Sequence, residues 1–316
     1  MTIKLVKSFP SPVDPSQADP SQTDIGQKKL WMAAIKPPMY SVAIMPIALG
    51  SAIAYSESRI FNLPVFLTFV ISAVLILAWE NVSNDVFDAE TGIDCNKHHS
   101  LVNLTGNKPL VFWTGNLLLA LGIAGILSIA WAQHDFTILG IILLCCGLGY
   151  AYQGPPFRLG YQGLGEILCF FAFGPLAVAA AYYSQTQTWS ATSLTASVIL
   201  GISTSLILFC SHFHQIKDDI AAGKRSPIVR LGTQRSAQLL PWACGSLFAL
   251  TLLFAGLGIF PLWTIAIFAS LPIADRLCNH VRENHDKPNR VNNCKFIAVS
   301  LHFWSGVLLC LGFAIG

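Results

Sequence analysis

The recurrence of long apolar runs constrains this chain more than any other feature. Nine segments, near residues 37–56, 62–83, 109–132, 136–153, 163–184, 191–214, 236–257, 259–279 and 295–315, are apolar over about the twenty residues that a helix needs to cross a hydrocarbon core of about 30 Å. They predict an all-α membrane protein with nine transmembrane helices. The seventh and eighth runs are joined closely around Gly258 and Pro261, so one long kinked element, and hence eight spans, is the alternative. Only 11% of the 316 residues are charged, against about 25% in a soluble domain, and mean hydropathy is +0.58. The net charge of +3 on such a chain gives no reason to expect a nucleic-acid partner; membrane lipid is the expected surrounding.

Lys and Arg set the orientation. With nine spans, the N-terminal segment and the loops after spans two, four, six and eight share one side. They hold 18 of the 19 basic residues, leaving only Arg59 opposite. That side is predicted to be cytoplasmic, with the C-terminus outside. Its loops after spans two, six and eight are long and polar, whereas those after spans three, five and seven are tight, so the strong polar clusters fall on one face. Residues 1–30 are polar and proline-rich and lack the apolar stretch of a cleaved leader. They are expected to form a disordered tail, ahead of a single polytopic domain over 31–316. The nine cysteines form no C-x-x-C pair and no Cys/His set with zinc spacing. Most lie inside apolar runs, where cysteine packs as a small hydrophobe.

The second run ends in Asn84-Asp85-Val86-Phe87-Asp88-Ala89-Glu90-Thr91-Gly92-Ile93-Asp94. Carboxylates at a membrane edge are costly and usually mark an ion or substrate site. Asn81, Asp85 and Asp88 share one helical face, as do Asn84 and Asp88, and Gly92 lets the chain turn so that Asp94 folds back. Converging oxygen ligands suit a hard cation such as Mg²⁺, which shares phosphate oxygens with its substrate. The sixth run ends similarly, in Ser211-His212-Phe213-His214-Gln215-Ile216-Lys217-Asp218-Asp219, followed by Gly223-Lys224-Arg225. Gln215 and Asp219 are spaced i, i+4, and Asp218 flanks them. Four spans separate the two clusters, so the chain reads as two halves of similar layout that bring acidic groups to a shared cavity. The plain alternative, two solvated helix ends, accounts poorly for the pair. Acidic sites with basic residues beside them suit a diphosphate bridged by metal ions and clamped by Lys or Arg. His212 and His214 face different sides of a helix and do not chelate jointly. His302 reads as a satisfied interior histidine.

These motifs resemble those of the UbiA family of intramembrane prenyltransferases, whose two acidic motifs end the second and sixth of nine helices. Asn84-Asp85-x-x-Asp88 matches the first family motif, and the likeness covers roughly residues 30–316. The longer spacing, five residues between Asp88 and Asp94, resembles the branch acting on 1,4-dihydroxy-2-naphthoate in phylloquinone and menaquinone synthesis. The stretch from His212 to Gly232 is similar to cyanobacterial members of that branch. In the second motif Gln215 stands where the family often has Asp. The resemblance implies Mg²⁺-dependent transfer of a prenyl group, phytyl in the cyanobacterial members, from its diphosphate to the naphthoate, with loss of CO₂, in a plasma or thylakoid membrane. It implies Asp85, Asp88, Asp94, Asp218 and Asp219 as catalytic, and Asn84, Asp88, Asp94, Gln215 and Asp219 as metal ligands. Lys36, Asn84, Tyr150, Tyr152, Arg158, Gln215, Lys217 and Lys224 are implied to bind substrate. Two positions keep a second reading: Lys36 as a snorkelling interface lysine, and the tyrosines as an aromatic belt. Glu166 fits either a charge at a helix N-terminus or a wall of the site. The competing functions are a relative acting on homogentisate, 4-hydroxybenzoate or chlorophyllide, and a transporter with paired cation sites. Transporter sites sit near the bilayer midplane, whereas both clusters here lie at one face.

Overall fold

The computed structural model describes residues 20–91, 93 and 100–316, with side chains from Lys28 onward. All regular structure among these residues is helical. The chain runs through α1 (Pro20–Ile35), a 3₁₀ turn (Pro37–Tyr40), α2 (Ser41–Ser58), α3 (Leu63–Thr91), α4 (Leu101–Thr105), α5 (Lys108–Gln133) and α6 (Thr137–Gln153). It continues through α7 (Gly165–Phe171), a π turn (Ala172–Leu176), α8 (Ala177–Thr186), α9 (Ala191–Ala221), α10 (Pro227–Leu231) and α11 (Thr233–Gly256). A 3₁₀ segment (Leu262–Ser270), α12 (Leu271–Asn284), α13 (Pro288–Val291) and α14 (Cys294–Ile315) complete it.

Every apolar run of the sequence lies on helical structure. Among the described residues, seven helical segments are long and apolar enough to cross a membrane, against the nine expected. The shortfall falls on two elements. The apolar helix α6 has 17 residues, about 26 Å at 1.5 Å per residue. The eighth run is split between the 3₁₀ segment and α12. The chain turns between Leu257 and Pro261, with Gly258 at φ 72°, so the seventh and eighth runs are separate elements rather than one kinked helix. A second difference lies near the start: α1 begins at Pro20, inside the stretch expected to be a disordered tail.

Packing follows from small residues and apolar faces. One core gathers residues of α2, α9, α11 and α14; a second gathers residues of α3, α5, α6 and α8. The π turn contains Pro175, which cannot donate to the helical ladder, and the preceding Gly174 lies against Gly201 of α9. A Cβ on Gly174 would come within 2.8 Å of the Gly201 backbone, so α9 is held close there. Large apolar side chains, among them Trp113, Trp131 and Trp242, stay exposed, the surface that a bilayer-embedded bundle presents to lipid. The helices α3 and α9, with 29 and 31 residues, are about 45 Å long and exceed the core thickness. Their polar ends therefore project together at one end of the bundle.

Candidate active site

The end of α3 sorts its acidic residues by direction. Asp85 points inward and is 1% exposed. It accepts a hydrogen bond from the Leu101 backbone N–H at 2.9 Å, at the start of α4, and lies 3.9 Å from Lys36 Nζ. Lys36 holds a left-handed backbone (φ 52°) between α1 and the 3₁₀ turn, which brings its side chain back over α3. Asp88 faces across the mouth of the bundle instead. It accepts a hydrogen bond from Gln153 Nε2 at the end of α6, and the Tyr161 hydroxyl lies 3.5 Å from the same oxygen. Tyr161 also meets the Thr91 hydroxyl at 2.6 Å. At the rim, Glu90 pairs with Lys108 at 2.8 Å and with Arg158 at 3.5 Å.

The end of α9 is built around Asp219, also 1% exposed. Its Oδ2 accepts from Ser226 at 2.8 Å and lies 2.8 Å from His212 Nδ1; its Oδ1 lies 3.9 Å from Lys224 Nζ. The other ring nitrogen of His212 is 3.7 Å from Glu166 Oε1, so one histidine bridges two carboxylates. Lys224 is buried, with its ammonium 5.8 Å from the Tyr152 ring centre and 5.7 Å from that of Tyr161, within cation–π range. Tyr161 thus touches both acidic ends: Asp88 through its hydroxyl and Lys224 through its ring.

The expected residues are brought together unevenly. Lys36, Asp85, Asp88, Tyr152, Asp219 and Lys224 meet as described, and Arg158 lies at the rim. Asn84 and Gln215 are half-buried on α3 and α9. Tyr150 is 39% exposed; its hydroxyl donates to the Pro155 carbonyl at 2.8 Å and its ring meets Phe87 edge-on, so it borders the mouth from outside. Lys217 and Asp218 are exposed. Asp94 and the histidines at 98 and 99 lie outside the described residues. Asp85 and Asp219, expected to face a ligand, turn inward because each anchors the loop that follows its helix. His302 is interior, but only half satisfied: its Nδ1 hydrogen bonds to Ser203 at 2.9 Å, while its buried Nε2 has no partner among the described residues. Sequence reasoning gave Gln153 and Tyr161 no role. Their signal was a glutamine and a tyrosine flanking the Gly-Pro-Pro turn at the end of an apolar run.

Several buried polar atoms around this mouth have no hydrogen-bond partner among the described residues: Asn81 Nδ2, Gln153 Oε1, Arg158 Nε and both Glu166 carboxylate oxygens. Buried polar groups are rarely left so, and their clustering marks a place for a polar ligand. The donor set fits a hard cation. Asn84 and Asp88 lie one turn apart, with the free Gln153 oxygen beside Asp88. Mg²⁺ is commonly held by one or two carboxylates, with phosphate and water completing its shell.

Residues 43–307 match the model of the UbiA prenyltransferase family. The chain belongs to that family. It is 55% identical over 286 residues to the 2-carboxy-1,4-naphthoquinone phytyltransferase of Synechocystis, covering 90% of this chain and 93% of that one. The chloroplastic enzyme of the same name from Arabidopsis thaliana is 41% identical over 302 residues, covering 92% and 78% of the two chains. Among solved structures, a digeranylgeranylglyceryl phosphate synthase superposes with a TM-score of 0.61 at 15% identity, over 92% of this chain and all of that one. A UbiA homologue from Archaeoglobus fulgidus, solved with GPP and Mg²⁺, gives 0.55 at 14% identity, over 89% and 99%. The last two establish the fold, an all-helical UbiA bundle.

Proposed function

We propose that this protein transfers a prenyl group, phytyl by preference, from its diphosphate to 1,4-dihydroxy-2-naphthoate, releasing diphosphate and CO₂ on the route to a phylloquinone- or menaquinone-type quinol. The observation that carries the reading is the meeting of two acidic helix ends, from α3 and α9, at one mouth bridged by Tyr161 and faced by Lys224. The names of the Synechocystis and Arabidopsis relatives support the acceptor class.

Mg²⁺ would be held by Asn84 and Asp88, with Asp94, and by Gln215 beside Asp219; bound there, it supplies positive charge to the leaving diphosphate. Lys224, Lys36 and Arg158 add donors of the kind that clamp phosphate oxygens. As the prenyl C1–O bond breaks, its electron pair leaves with the diphosphate, and these groups stabilise the growing negative charge. The allylic cation is kept from water by the apolar bundle, with the faces of Tyr152 and Tyr161 at its mouth. The electron-rich hydroquinone ring attacks C1 through its carboxylated carbon. Loss of the carboxylate as CO₂ returns the bonding pair to the ring and restores aromaticity. The bundle forms one domain of nine spans over 31–316, with its acidic mouth and N-terminus on the cytoplasmic side, as the basic residues indicate.

The deciding experiment is an assay of membranes carrying the protein, with 1,4-dihydroxy-2-naphthoate, phytyl diphosphate and Mg²⁺, followed by mass. A prenylated, decarboxylated product is expected. Product only with homogentisate or 4-hydroxybenzoate would discard the acceptor and keep the fold and site. No product with any acceptor would return attention to cation transport.

A further inference from the structure

Inside the bundle, on the same face of α3 as the acidic mouth, a small chamber of about 70 Å³ lies between α2, α3, α6 and the π turn. Its walls are apolar: Pro46, Phe69, Leu77, Trp79, Ile142 and Phe173 among others. One carboxyl group faces it. Glu80 sits in the apolar run of α3, deep in the protein, and keeps some accessible surface because it borders the chamber. Among the described residues no hydrogen bond or ion pair engages that carboxyl group, and its titratable neighbours are the thiols of Cys145, Cys146 and Cys169. Such a group in hydrocarbon surroundings is costly unless something bonds to it.

The neighbouring helix presents a glycine to it. Gly149 of α6 lies opposite, and a Cβ there would stand 3.5 Å from Glu80 Cδ and 3.7 Å from Oε1. The absent side chain leaves the carboxyl group open to the chamber. Glu80, Asn84 and Asp88 follow one another at i, i+4 and i+8, so they form a ladder down one face of α3. Glu80 is about 6 Å along the axis from Asn84 and about 12 Å from Asp88. A diphosphate at Asp88 would place the prenyl C1 near the level of Asn84, and a bicyclic ring one step deeper would reach Glu80. An isoprenoid tail lying there would leave the carboxyl group unbonded; a hydroxylated ring would not.

We propose that Glu80 is an acceptor-binding residue: a ring hydroxyl of the aromatic acceptor donates a hydrogen bond to its carboxyl group and turns the attacking ring carbon toward the mouth. This rests on the naphthoate reading above and adds the group that selects for a hydroxylated ring. A site built to bond a hydroxyl rejects an analogue that lacks it, because the buried partner is then left bare.

The test measures KM for acceptor and donor separately in wild type, Glu80→Gln and Glu80→Leu, with 1,4-dihydroxy-2-naphthoate and with 1-hydroxy-2-naphthoate. Glu80→Leu is expected to raise the acceptor KM by about tenfold or more, to leave the donor KM within about twofold, and to narrow the wild-type preference for the dihydroxy acceptor. Glu80→Gln keeps the size and an acceptor oxygen and should fall between, which holds the test open even if the leucine variant fails to fold. An unchanged acceptor KM, or a change confined to the donor KM, overturns the assignment and gives the chamber to the isoprenoid tail. If the wild type turns over a different hydroxylated arene, the naphthoate reading fails while the same comparison with that arene still decides the role of Glu80.

Discussion

The ends of α3 and α9 solve the same problem with different parts. Each buries one aspartate, Asp85 or Asp219, at 1% exposure, and each pairs it with a lysine at 3.9 Å, Lys36 or Lys224. Each aspartate also secures the segment that follows its helix, Asp85 through the Leu101 N–H and Asp219 through the Ser226 hydroxyl. They differ in reinforcement. Asp219 has a third partner in His212, and its lysine is 6% exposed, whereas the Lys36 side chain is 26% exposed. The outward aspartate of the α3 end, Asp88, has no counterpart of similar setting on α9, where Gln215 is half-buried and Asp218 is exposed. The likeness teaches that a carboxylate in an acidic motif can hold a loop rather than meet a ligand. The difference assigns more of the chemistry to α3 and more of the scaffold to α9.

The strongest way to sharpen this contrast is to remove what only one side supplies. Chelating Mg²⁺ with EDTA should stop turnover, with recovery on adding the metal back; activity indifferent to EDTA would reject metal-assisted departure of diphosphate. Asp88→Ala should lower kcat by about 10²–10³ or more while the melting temperature in detergent stays near wild type. A parallel fall in both would move Asp88 into the scaffold. Asp219→Ala strands a buried lysine and histidine, so a loss of about 3–5 kcal/mol of stability is expected, seen in thermal unfolding along with lost activity. Asp85→Ala should cost less, about 1–3 kcal/mol, because the Lys36 side chain, 26% exposed, can turn to water where the buried Lys224 cannot. Equal losses in the two variants would erase the distinction drawn here.

Smaller effects test the join between the two ends and the far side of the molecule. Tyr161→Phe deletes the hydroxyl shared with Thr91 and Asp88 and keeps the ring beside Lys224. About 1 kcal/mol, or a several-fold fall in kcat/KM, is expected. At the opposite end of the bundle, Asp135 accepts from the Tyr183 hydroxyl at 2.6 Å and from the Thr137 N–H at 2.8 Å, and these bonds hold its carboxyl below the usual range. Its contribution to stability is present above that usual range and lost as pH falls through the lowered value. Asp135→Asn should therefore flatten the acid side of the stability profile and leave turnover unchanged.

The helices were legible in the sequence because length and apolarity alone decide what can span a bilayer. Their breaks were less so: the division of the eighth run and the shortness of α6 depend on local turns at Gly258, Pro261 and Gly154. Asn84 and Asp88 could be placed on one face from spacing. Which aspartate turns inward could not, since residues three apart, such as Asp85 and Asp88, differ by only about 60° around the axis. The partners that give these residues meaning are remote in the chain. Asp88 meets Gln153, 65 positions on, and His212 meets Glu166, 46 positions back. Glu80 was hidden by its own run, where a single carboxylate barely disturbs the apolar average.

The two inward aspartates also bear on how such a protein can change. Because the bundle holds the chain at fixed points, Leu101 on one side and Ser226 on the other, each helix end is tied to the segment that follows it. Side chains at the exposed rim, such as Lys217 and Asp218, can then be exchanged without asking the helices to repack. The chain is, in engineering terms, a chassis with two bolted ports, on which a new substrate can be tried before the old fold is put at risk.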